Sequence, residues 1–77
     1  MSKRETLLEI LRKIKPGVNF EEAHGILENR YLDSLEFVTM IQEIGSNLGV
    51  DIDADDITPE NFDTLDSIEK LVERSGR

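Results

Sequence analysis

The chain has no cysteine and no tryptophan, and only one histidine and two prolines in 77 residues. Without cysteine, no disulfide staples the fold and no protein thiol serves as a nucleophile or metal ligand. The single histidine, His24, sits in an irregular stretch, so nothing suggests a serine–histidine–acid arrangement. Long apolar runs are missing as well. Charges interrupt even the richest segment, Leu7-Leu8-Glu9-Ile10-Leu11-Arg12, which reads as neither a membrane span nor a secretory signal. The expectation is a soluble, cytoplasmic monomer.

Positive charge is absent over half the chain. From Tyr31 to Glu69 there is no Lys or Arg, while the same stretch holds Asp33, Glu36, Glu43, Asp51, Asp53, Asp55, Asp56, Glu60, Asp63, Asp66 and Glu69. Residues 1–30 are nearly balanced, with six basic residues against five acidic, so the net charge of −8 is unevenly placed. A one-signed surface repels nucleic acid and anionic membrane and steers basic partners toward itself, although acids also serve solubility alone. The carboxylates read as solvated, with no evident cause for a raised pKa, and there is no glycine-rich phosphate cradle. Enzymatic activity is not expected.

What is present is helical periodicity. A length of 77 residues allows one domain, burying about 60% of the surface its unfolded chain would expose. Ser2 and Glu5 have capping-box spacing, Leu7, Leu8, Leu11 and Ile14 follow at helical intervals, and Pro16-Gly17 stops the segment, predicting a helix over about 3–15. A long loop over 16–33 follows, anchored by Phe20, Ile26 and Leu27. Asp33 or Ser34 caps a second helix over about 34–48, where Phe37, Ile41, Ile44 and Leu48 predict one buried stripe, with Met40 beside it. Gly49 ends it. Residues 49–62 form a connector with a short helical turn around Asp53 to Ile57. Asp63 or Thr64 then caps a last helix over about 64–74, with Leu65, Ile68, Leu71 and Val72 on its apolar face and Ser75-Gly76-Arg77 fraying beyond it. The fold class is all-α, a single small bundle of three main helices spanning 1–77.

Two motifs compete for chemistry. Asp51, Asp53 and Asp55 stand at the first, third and fifth positions of a would-be calcium loop, but its sixth position is Asp56 rather than glycine and its twelfth is Phe62 rather than glutamate. Both failures fall on positions that make such a loop work. Ser34 is the other candidate. A hydroxyl in the first turn of a helix lies beside unpaired backbone N–H groups and the positive end of the macrodipole, where an attached phosphate is stabilised. Most serines before helical patterns are plain caps, and taken alone the serine reads first as one. Leu35, Val38 and Gln42 form a second row on the same helix, which fits either a docking patch or the edge of the core beneath the long loop.

Leu32-Asp33-Ser34-Leu35-Glu36, together with Leu48-Gly49-Val50-Asp51-Ile52, Asp55-Asp56-Ile57 and Pro59 through Ile68, resembles the acyl and peptidyl carrier proteins over roughly residues 5–73. The resemblance implies 4′-phosphopantetheine on Ser34 Oγ, placed there from coenzyme A by a phosphopantetheinyl transferase, with acyl or aminoacyl cargo carried as a thioester on the arm's thiol. It implies further partners: a loading ligase or acyltransferase, and a downstream synthase or transferase with a basic docking surface. Asp33, Leu35, Glu36, Val38, Thr39, Gln42 and Glu43 would face them. The chain departs from the family at Tyr31, where glycine is common, and on helix two, where Thr39, Gln42, Gly45 and Ser46 replace frequent acids. These departures suggest a discrete, specialised carrier. Leu65-Asp66-Ser67-Ile68 nearly repeats the motif, but Ile68 is needed on a core face and few residues follow it. An acidic helical adaptor that binds a basic partner without a cofactor is the alternative reading.

Overall fold

The computed structural model describes residues 2–75. Fraying was expected at Ser75, Gly76 and Arg77; Ser75 is instead the last residue of the third helix, and Gly76 and Arg77 lie outside the described residues. Helix α1 runs Lys3–Ile14, α2 runs Ser34–Leu48 and α3 runs Leu65–Ser75, with a 3₁₀ turn at Ala54–Asp56 in the connector and no strand among the described residues. The fold is an all-α bundle. Three ends lie one residue from their expected places, one of them the end of α3, at Ser75 rather than Arg74. Lys15 leaves helical geometry (φ −137°, ψ 78°) directly before Pro16, whose ring disfavours a helical residue ahead of it. Thr64 acts as the cap of α3 rather than its first residue, with Oγ1 accepting the Ser67 N–H at 3.1 Å.

Local chemistry starts each helix. In α1, Ser2 Oγ accepts the Glu5 N–H while Glu5 Oε1 accepts the Ser2 N–H, both at 3.1 Å. These bonds hold the Glu5 carboxyl below its ordinary range. The same reciprocal arrangement opens α2, where Asp33 rather than Ser34 is the cap. Gly49 closes α2 in the left-handed conformation, φ 66°.

Both other helices pack on α1. Three helices of 12, 15 and 11 residues cannot enclose a core alone, and seven buried residues come from irregular chain: Phe20, Ala23, Ile26 and Leu32 from the first loop, Val50, Ile52 and Phe62 from the connector. Ile10, Ala23 and Leu32 had no place in the expected core. The predicted stripe on α2 is corrected. Met40 and Ile44 are fully buried, but Phe37, Ile41 and Leu48 are only half-buried, because α1 covers one side of α2 and loop segments cover another incompletely.

Loop and connector are tied together across more than thirty residues. Ile26 N–H donates to the Asp63 carbonyl and Leu27 N–H to the Phe62 carbonyl, each at 3.0 Å. Gly25 N–H reaches Asp63 Oδ1 at 2.6 Å. Gly25 has φ 63°, and a Cβ there would collide with the Asn29 amide, so glycine is required for both reasons. Asp63 is thus the pin of the first loop, not the cap of α3.

Gly45 is different. A Cβ added there would meet only the Val50 carbonyl oxygen, at an ordinary 3.6 Å. No feature of the fold demands glycine at this position. Gly45→Ala should therefore raise stability by about 0.5–1 kcal/mol, read as a melting temperature several degrees higher; a lower one would mean the α2–Val50 approach is tighter than described.

Candidate functional site

Asp33 shapes the mouth of α2. Its Oδ1 accepts the Glu36 N–H at 2.8 Å, and Glu36 Oε1 accepts the Asp33 N–H at 2.9 Å. This box directs both carboxylates into the helix start and leaves Ser34, the first helical residue, exposed. An open groove of about 540 Å³ begins at this serine, lined by Leu27, Arg30, Leu32, Phe37, Val38 and Ile57 together with Asp33 and Ser34. The first loop, α2 and the end of the 3₁₀ turn meet there. The Phe37 ring stands edge-on to Phe62, with centroids 5.0 Å apart and planes at 65°, joining the groove wall to the core.

The residues expected around Ser34 fall into two groups. Leu35 is 75% exposed and Val38 51%, so neither covers the edge of the core, and Gln42 is exposed beside them. The two acids of α2 turn the other way. Glu36 accepts from Lys15 Nζ at 3.1 Å, and Glu43 accepts from Lys13 Nζ at 2.9 Å and from Asn47 at 3.1 Å. The Lys13 bond, reinforced by its charge, holds the Glu43 carboxyl below the ordinary glutamate range. Thr39 is half-buried, its Oγ1 donating to the Leu35 carbonyl at 2.9 Å. The exposed side of α2 is therefore uncharged, with Leu35 and Val38 as its apolar residues. Four exposed acids, Asp51, Asp53, Asp55 and Glu60, cluster in the connector.

Arg30 and Ile57 escaped the reading of the chain as site residues. Ile57 is 37% exposed and lines the groove together with Val38; its only signal was an apolar residue following an acidic turn. Tyr31 is half-buried, with its N–H bonded to the Ile26 carbonyl at 3.2 Å. The residue in the left-handed region is its neighbour Arg30, φ 57°.

The competing motifs lie elsewhere. Asp53 caps the 3₁₀ turn through the Asp55 N–H at 3.0 Å, and no three acids or histidines among the described residues converge to hold a metal ion. His24 is exposed, and its carbonyl accepts from Asn29. Ser67 is half-buried within hydrogen-bonding distance of Thr64 Oγ1, and Ile68 beside it is fully buried. No described helix is long and apolar enough to cross a membrane.

No protein-family model matches the sequence. No curated protein matches it either. Solved structures do match in shape. One is the carrier protein in the complex of Bradyrhizobium japonicum glycine:carrier protein ligase with glycylated carrier protein: TM-score 0.73, 19% identity, over 90% of this chain and 96% of that one. Another is holo acyl carrier protein from Nitrosomonas europaea in solution: TM-score 0.73, 22% identity, over 96% of this chain and 95% of the other. Across nearly all of its length, this chain has the acyl-carrier-protein fold.

Proposed function

We propose that the chain is a carrier, not an enzyme, and that Ser34 bears 4′-phosphopantetheine. The observation that supports this most is the placement of Ser34: exposed, first in α2, and at the mouth of a groove on a fold shared with a holo acyl carrier protein. The site suits the group. The capping box leaves the serine clear of the core, and the start of α2 favours an attached anion.

In the loading step, Ser34 Oγ forms a bond to the phosphorus of the pantetheine phosphate in coenzyme A. The bond from that phosphorus to adenosine 3′,5′-bisphosphate breaks, and the serine proton passes to a base of the phosphopantetheinyl transferase. The attached arm supplies a thiol on which acyl or aminoacyl cargo rides as a thioester, chemistry that a cysteine-free chain does not itself contain. Loading by a ligase or acyltransferase, and delivery to a synthase or transferase, then use the surface around Leu35 and Val38. The glycine ligase complex of the Bradyrhizobium neighbour supports aminoacyl cargo as one class.

Incubation with coenzyme A and a broad-specificity phosphopantetheinyl transferase tests this by intact mass. Wild type and Ser67→Ala should each gain one phosphopantetheine, and Ser34→Ala none. An unmodified wild type beside a loaded control carrier would leave the acidic adaptor as the better reading, and a modified Ser34→Ala would move the site.

A further inference from the structure

Arg30 is the only Lys or Arg between Lys15 and Lys70. It lines the same groove as Ser34, and no other cation does. Among the described residues Arg4, Arg12, Lys13 and Lys15 form ion pairs with carboxylates, whereas Arg30, like Lys3, Lys70 and Arg74, forms none within 4.0 Å; of these four only Arg30 lines the groove. Its backbone is also singular: it is the one non-glycine residue described with positive φ, 57°. Glycine would adopt that conformation without penalty, so the position keeps a side chain at a cost. The loop is held there by Arg30 N–H on the Leu27 carbonyl and Tyr31 N–H on the Ile26 carbonyl, both at 3.2 Å.

We infer that Arg30 is the counter-cation of the phosphodiester on Ser34. This rests on the reading of Ser34 as the attachment point. A phosphodiester adds a permanent negative charge beside Asp33, in a half of the molecule that is otherwise uniformly acidic. Arg30 is the one cation lining the groove with Ser34, since Lys15, the other cation near the start of α2, is paired with Glu36, and a guanidinium suits phosphate because its planar fork donates two parallel N–H···O bonds. The pairing holds the base of the arm at the groove mouth. Arg30 is a positioning residue here, with no part in bond making.

Nuclear magnetic resonance of the loaded protein tests the pairing directly. On loading of the wild type, the Arg30 Nε–H resonance should shift and its exchange with solvent should slow severalfold, while Ser34→Ala treated identically shows neither change. The phosphorus resonance of loaded Arg30→Gln should differ from that of the wild type, with Arg30→Lys between them, and high salt should move the wild-type resonance toward the Arg30→Gln position. Arg30→Gly separates backbone from charge: it should melt higher, because φ 57° suits glycine, yet give the Arg30→Gln phosphorus resonance. Loading that leaves Arg30 Nε–H unchanged overturns the pairing while Ser34 stands. Failure of the wild type to load overturns both.

Discussion

Phe62→Ala is expected to cost about 3–5 kcal/mol of folding free energy. Phe62 is fully buried, and it does three things at once. Its ring receives Phe37 edge-on at 5.0 Å, its carbonyl accepts the Leu27 N–H at 3.0 Å, and its own N–H donates to the Thr58 carbonyl at 3.1 Å. The side chain thus fills the junction where connector, first loop and α2 meet, and neither loop segment can collapse into the space without giving up those bonds. A domain of 77 residues has about 4–12 kcal/mol of stability at 0.05–0.15 per residue, so the loss takes a large share of the total. Urea unfolding measures it. Phe37→Ala, at a half-buried position, should cost visibly less. If the two substitutions cost the same, the junction at Phe62 is not the centre of the core.

Leu35→Glu should act oppositely, leaving the fold alone and impairing loading. At 75% exposure the change lies within about 0.5 kcal/mol of neutral for stability, and leucine and glutamate have similar helix propensity. In docking, an exposed apolar residue next to Ser34 is placed to act as an anchor, and anchors typically contribute 2 kcal/mol or more. The specificity constant with the transferase should fall by about 30-fold, the rate equivalent of that energy. Glu43→Gln should change it less than about threefold, because Glu43 is already paired with Lys13 and Asn47 and surface ion pairs contribute little. If added salt and Glu43→Gln slow loading while Leu35→Glu does not, the acids carry docking and the apolar row does not.

Much of this architecture was legible in the chain because it is local. Capping boxes couple residues three apart, so Ser2 with Glu5 announced α1, and a left-handed cap at Gly49 announced the end of α2. The apolar face of α3 was read in full, since Leu65, Ile68, Leu71 and Val72 are all buried. Periodicity identifies a face when one side of a helix is covered uniformly. On α2 it overstated burial, because Phe37, Ile41 and Leu48 meet a cover made partly of loop.

The amino-acid sequence by itself determined that the chain is helical, acidic, free of thiol chemistry and marked by a serine at the start of its second helix. Each of those properties depends on residue type or on neighbours within a few positions. The tertiary structure decided which groups meet at that serine. Asp63 was legible only as a cap candidate, and folding makes it the pin of Gly25. Glu36 and Glu43 read as partner-facing acids, and the approach of α1 gives them to Lys15 and Lys13. Arg30 carried no pattern at all, and Ile57 only that of an apolar residue after an acidic turn, until the loop and connector closed on α2. Such contacts join residues tens of positions apart, and no local spacing encodes them.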